Sequence, residues 1–141
     1  MFVLDTNILS AMMRPEREPK VAAWIAAQAP DLLFTTALSQ AEILSGLAIM
    51  ADSRRRRDLE AAARAVFVED FEGRILPFDG RAAVAYADLF AARRQSGRPM
   101  ATLDLMIASV ARSHGAGVVT RDARGFEGCG LTLINPWEAR H

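Results

Sequence analysis

The chain has 141 residues, about the size of one domain, and its 51% hydrophobic and 24% charged content describes a folded globule, not a disordered tail. Lys plus Arg and Asp plus Glu each total 17, so the formal net charge is zero and a general basic coat for nucleic acid is excluded. Any nucleic acid must be held by a local patch or through a metal. The single cysteine, Cys129, excludes an internal disulfide and lacks the Cys/His partners of a structural zinc site, as suits a reducing compartment. The opening apolar run has no basic leader and is too short for a signal peptide, and no stretch approaches the ~18 apolar residues of a membrane span. A single cytoplasmic domain over residues 1–141 is expected.

In chain order, Phe2, Val3 and Leu4 form the first predicted strand, followed by Asp5, Thr6 and Asn7 and a short apolar helix ending before Pro15. Pro19 opens a second helix over 19–29, with Val21, Trp24 and Ile25 spaced to face a core. A strand over 32–36 leads to a helix over about 38–50. Ser53 caps a fourth helix, in which Leu59, Ala62, Ala63, Val66 and Phe67 recur at helical spacing. A strand over 74–78 precedes Asp79, the predicted cap of a helix to about Gln95, and a loop holds Gly97 and Pro99. Leu103, Met106, Ile107 and Val110 mark the buried stripe of a further helix that stops near Gly115. Strands over 117–120 and 131–134 complete the set. This alternation predicts an α/β layer fold with a mainly parallel central sheet of about five strands flanked by helices.

Ligands in such sheets gather beyond the carboxyl ends of the strands, and four acids fall there. Asp5 follows the first strand, Glu42 lies in the first turn of the third helix, Asp104 opens the helix after Pro99, and Asp122 follows the fourth strand. Each has a structural explanation. Ser39 to Glu42 fits a capping box, Asp104 complements a helix dipole, and Asp122 suits an Asx turn. Asp79 occupies an equivalent place, and pattern alone does not exclude it. Two carboxylates about 4 Å apart repel by roughly 4 kcal/mol at an effective dielectric of 20. A cluster of three or four is therefore tolerable when some are protonated or when a hard divalent cation neutralises them.

Several segments together resemble PIN-domain proteins. They are Leu4-Asp5-Thr6-Asn7, Ser39-Gln40-Ala41-Glu42-Ile43, Leu103-Asp104-Leu105-Met106-Ile107-Ala108, Val119-Thr120-Arg121-Asp122 with Phe126-Glu127-Gly128, and the closing Ile134-Asn135-Pro136-Trp137. The resemblance runs from Phe2 to Trp137 and is nearest to the VapC-type toxin ribonucleases of the FitB-like branch. It implies a three-layer PIN-like fold, a magnesium ion (with manganese as a substitute) held by acids, and endonucleolytic cleavage of RNA. It also implies a homodimer and a cognate antitoxin of the VapB or FitA kind. Asp5, Glu42 and Asp104 match the family's metal-site acids, and Asp122 matches a fourth position filled by Asp or Asn. Asp79 matches none. Thr6, Asn7 and Thr120 stand beside the site and are expected to orient carboxylates or a metal water.

The expected chemistry is phosphodiester hydrolysis by a water activated at the cation. The only histidines are His114 and His141, which excludes a histidine-pair ribonuclease; His114 near a helix end complements the dipole. Arg54 to Arg57 read first as a solvated helix start, although their charge opposes the helix dipole and leaves room for a role with RNA. Trp24 and Trp137 read as packing residues. A receiver domain is disfavoured because Lys20, the sole lysine, comes early, and a haloacid-dehalogenase phosphatase because Asn7 replaces its second Asp. The alternative of another class is a catalytically inactive PIN-like module that binds RNA or protein.

Overall fold

The computed structural model describes residues 1–138; Ala139, Arg140 and the His141 noted above lie outside the described residues. The elements run β1 (Phe2–Leu4), α1 (Thr6–Met12), α2 (Pro19–Ala26), β2 (Leu33–Thr36), α3 (Ala37–Ala48) and α4 (Arg54–Arg64). They continue with β3 (Ile75–Leu76), α5 (Gly80–Gln95), α6 (Thr102–Ser113), β4 (Gly117–Val119) and β5 (Leu133–Ile134).

The five strands form one sheet in the order β3-β2-β1-β4-β5, and every neighbouring pair is parallel. Short apolar strands joined through helices leave few other arrangements, because a parallel pair needs a crossover. Val3 and Val118 pack with α5 and α6 on one face, whereas Leu4 and Val119 pack with α1 to α4 on the other. This is the period-two alternation of a sheet covered on both sides, and it makes the molecule three-layered. At Gly117 a Cβ would come within 3.0 Å of the Thr132 carbonyl oxygen, so the close pass of β4 beside the approach to β5 requires glycine.

Element boundaries differ from the predicted ones where proline intervenes. The second helix ends at Ala26, not 29, because Pro30 holds Ala29 extended (φ −68°, ψ 123°) and opens a 3-10 turn that also takes Leu32 from the strand. The strand expected over 74–78 is reduced to Ile75–Leu76, since Pro77 has no N–H to pair. The stripe Ala63, Val66 and Phe67 is buried, but α4 passes into a π-helical segment, Ala65–Asp70, to achieve it. Asp79 is a helix cap, accepting from the Ala82 N–H at 3.0 Å. His114 is the C-cap of α6, and Cys129 is buried and free. Among the described residues no helix is long and apolar enough to cross a membrane.

The chain steps outward from β1 to β2 to β3, then returns to the opposite side of β1 with β4 and β5. The direction of winding therefore reverses between β1 and β4. Beyond their carboxyl ends the flanking connections part and leave a crevice.

Candidate functional site

That crevice is an open cleft of about 380 Å³ lined by Asp5, Thr6, Asn7, Ser10, Glu42, Asp104 and Asp122. The four acids picked out in the sequence thus face one space. Asp5 is 5% exposed, Asp104 half-buried, and Glu42 and Asp122 exposed.

Asp5 ends β1 and caps α1. Its Oδ1 accepts from the Thr6 N–H at 2.8 Å, and its Oδ2 accepts from the Thr120 hydroxyl at 2.8 Å and, at 3.5 Å, from the Asn7 amide. Burial raises its pKa most; the Thr120 and Thr6 bonds work against that, and Glu42 and Asp122 add repulsion. Asp104, in the first turn of α6, is also raised, first by burial and then by Asp5, Asp122 and Glu42. These shifts report a mutual field. Asp122 closes an Asx-type cap, its Oδ1 accepting from the Gly125 N–H at 3.2 Å, and its own N–H donates to the Thr120 hydroxyl at 3.1 Å. The Asx reading of Asp122 is right locally, and it coexists with a place in the cleft.

Glu42 requires a correction. It is the sixth residue of α3 and lies in its second turn, not the first, and it makes no capping box. The cap is Thr36, whose hydroxyl accepts from the Ser39 N–H at 3.1 Å. Strand β2 runs to Thr36, so the helix starts as soon as the ladder ends. Released from any capping duty, the Glu42 carboxylate faces the cleft.

Comparison with known proteins identifies the family. A family model described as the PIN domain matches residues 2–128. The chain belongs to the PIN-domain family. Within it, the chain is 41% identical over 138 residues to the VapC ribonuclease Y4jK of Sinorhizobium fredii, covering 98% of this chain and 99% of that one. It is 31% identical over 137 residues to toxin FitB of Neisseria gonorrhoeae, covering 97% and 99%. The crystal structure of FitAcB from Neisseria gonorrhoeae superposes with a TM-score of 0.86 at 29% identity, covering 99% of this chain and 100% of that one. The sequence and the three-layer parallel fold together make this a PIN-domain protein of the VapC and FitB type.

In this PIN domain the Thr120 hydroxyl and the Asn7 amide donate to Asp5, whereas Thr6 reaches it through its main-chain N–H. The Thr6 hydroxyl donates instead to the buried Ser39 Oγ at 3.0 Å, tying α1 to α3 one turn before Glu42. Ser39 and Thr36 were missed as positioning residues by sequence reasoning, although Thr36 three places before Ser39 is a readable cap. Ser10 was missed too; it is one helical turn from Asn7, on the same face. Gly125 was missed because its role is spatial: a Cβ there would lie 2.5 Å from Asp122 Oδ2.

Among the described residues no three Asp, Glu, His or Cys side chains converge tightly enough for a finished coordination shell. Four acids nonetheless share the cleft and repel one another. The two facts are compatible for a magnesium-type ion, which binds through one or two carboxylates and keeps waters and phosphate oxygens as its other ligands. The donor set is all oxygen, and the open cleft has room for a hydrated ion. The residues fit such a cation.

Proposed function

We propose that this protein is a metal-dependent endoribonuclease, hydrolysing phosphodiester bonds of RNA as the toxin of a toxin–antitoxin pair. The observation that carries the reading is the single cleft at the β1/β4 crevice that gathers Asp5, Glu42, Asp104 and Asp122, an anionic space open to solvent in which burial first, and the neighbouring carboxylates second, raise the proton affinity of Asp5 and Asp104. Its similarity to a VapC ribonuclease and to toxin FitB supports the substrate class and the toxin role.

Asp5, Glu42 and Asp104 would hold a magnesium or manganese ion, with Asp122 beside them. When bound, the cation supplies the Lewis acidity that activates water and offsets charge on the phosphate. Asp5 is fixed on three sides and acts as the rigid anchor. Asp104 accepts no hydrogen bond from the described residues, which leaves its carboxylate free to take the proton of the attacking water. Asn7 bridges the two strand ends, its amide facing Asp5 and Thr120 while its Oδ1 accepts from the Arg121 N–H at 3.1 Å. A cytoplasmic VapB- or FitA-like antitoxin partner and homodimerisation are carried over from the family resemblance; the fold's likeness to FitAcB supports the first.

Purified protein incubated with cellular RNA in magnesium, and separately in EDTA, tests this. Cleavage in magnesium, abolished by EDTA and lowered at least about 100-fold by Asp5→Asn, is expected. Cleavage that persists in EDTA or in Asp5→Asn would overturn the site, and no cleavage under any condition would favour the binding-module alternative.

A further inference from the structure

Helix α1 carries a polar stripe out of the acidic cleft. Asn7 and Ser10 lie one helical turn apart on one face of α1, and Arg14 follows just past the end of the helix at Met12, while Ile8 and Leu9 point into the core. Asn7 and Ser10 line the acidic cleft and also a neighbouring one, which adds Arg14, Glu18, Arg121 and Trp137. Arg14 in turn lines a third cleft, of about 590 Å³, with Arg17, Arg54 and Arg55. Neighbouring spaces share lining residues, Asn7 and Ser10 between the first two and Arg14 between the second and third, so the three follow one another along one side of the molecule as a groove.

The charges along this groove change sign with distance from the acids. Its far end gathers four arginines against two carboxylates, Glu16 and Asp58, in a protein with no net charge. The run Arg54 to Arg57 divides by role. Arg56 bonds Glu60 at 3.0 Å and the Met50 carbonyl at 2.8 Å, and Arg57 pairs with Asp52 at 3.3 Å. Arg54, Arg55, Arg14 and Arg17 make no ion pair among the described residues. Arg54 and Arg55 open α4, where their charge opposes the helix dipole and gives the fold nothing. In the middle of the groove the Arg121 guanidinium lies 4.6 Å above the Trp137 ring, whose Nε1–H is fixed on Glu18 Oε2 at 2.9 Å. An arginine stacked on indole is pre-organised and weakly hydrated, well suited to a phosphate or a base face.

We infer that this groove is the track of the substrate strand: single-stranded RNA held at the acidic centre continues past Arg121 to the Arg14, Arg17, Arg54 and Arg55 cleft. The inference rests on the ribonuclease reading. The acids repel phosphates, so affinity for an RNA longer than the scissile step has to come from a displaced cationic surface, and this one follows the cleft through shared lining residues. Contacts to phosphate fix register without reading sequence.

Binding of a labelled ~20-nucleotide single-stranded RNA, followed by fluorescence anisotropy in EDTA so that no cleavage intervenes, tests it. The Arg54→Ala/Arg55→Ala protein is expected to bind at least about tenfold more weakly, and its slope of log K against log salt should fall by about 1.4, the counterions of two phosphates on a single strand. Lys at both positions should restore most of the affinity and the slope. In magnesium the same Ala variant should raise KM for the long RNA while leaving turnover of a dinucleotide unchanged. Wild-type affinity and salt slope in the Ala variant would overturn the track. So would a poly-glutamate peptide of equal charge binding as tightly and with the same dependence, which would assign the groove to an acidic protein partner. Absence of cleavage with arginine-dependent binding intact would overturn the ribonuclease reading and the substrate role of the groove together, leaving a groove that binds RNA without cutting it.

Discussion

The Thr120 hydroxyl donates to Asp5 Oδ2 at 2.8 Å, joining the carboxyl ends of β4 and β1 across 115 positions of sequence. It is the bond that converts a topological reversal into a site. It holds the most buried acid in the form that a cation needs, opposing the desolvation that would protonate it.

Thr120→Val is therefore expected to raise the Asp5 pKa further. The acidic limb of the kcat/KM profile should move to higher pH, and activity near neutrality should fall about 10- to 100-fold. Thr120→Ser should restore both. A pH–rate profile on a defined RNA decides; an unmoved acidic limb would deny Thr120 its part.

The cation-free protein should lose stability as pH rises. Asp5 and Asp104 have native pKa values above the ordinary 3.8, so between that value and the raised one the native state holds more protons than the unfolded state. Stability is then greatest below 3.8 as far as these groups are concerned and is lost as pH passes through the raised values. Asp104→Asn should raise the melting temperature in EDTA at neutral pH by a few degrees, with the gain shrinking as pH falls. Melting curves of both proteins across pH give the difference directly, free of the remaining carboxylates.

Magnesium or manganese should reverse that penalty. At a concentration 100 times its dissociation constant, an ion bound only by the folded state adds about 2.7 kcal/mol. A rise in melting temperature is expected for the wild type and a much smaller one for Asp104→Asn. Wild-type curves that do not shift over millimolar metal would count against the cluster.

Ser39→Ala removes the acceptor of the Thr6 hydroxyl in a fully buried setting, and Thr36→Val removes the cap of α3. Each should cost about 1 kcal/mol in urea unfolding. Because α3 carries Glu42, metal affinity should weaken as well; a loss of stability with metal binding intact would make these bonds purely structural.

Gly125→Ala places a methyl group 2.5 Å from Asp122 Oδ2, and that carboxylate has to move. Activity should fall by about tenfold, close to the effect of Asp122→Asn, with the melting temperature nearly unchanged. A fully active Gly125→Ala would show that the position of Asp122 is immaterial.

Much of this was legible in the residues. The 2.0 and 3.6 periodicities of Val3-Leu4, Val118-Val119 and the Leu103 to Val110 stripe depend on local geometry, so the alternation, the parallel sheet and the places of Asp5, Asp104 and Asp122 after strands or at helix starts follow from sequence. Boundaries slipped at Pro30 and Pro77, where one ring changes its neighbours' backbone. Glu42 was assigned to the wrong turn because Ser39-x-x-Glu42 and Thr36-x-x-Ser39 both read as caps, and only the end of the β2 ladder chooses between them.

Sequence by itself determined the alternation of strands and helices and singled out Asp5, Glu42, Asp104 and Asp122 as acids near the carboxyl ends of strands, where carboxylates that converge are tolerable only if protonated or neutralised by a cation. Tertiary structure alone decided which groups meet. That Thr120 would hold Asp5, that Thr6 would turn away to Ser39, and that Arg14 would join Arg54 and Arg55 instead of pairing with nearby acids are contacts across 33 to 115 positions or between separate helices. The strand order and the packing of α1 against α3 fix such contacts, and no local pattern encodes either.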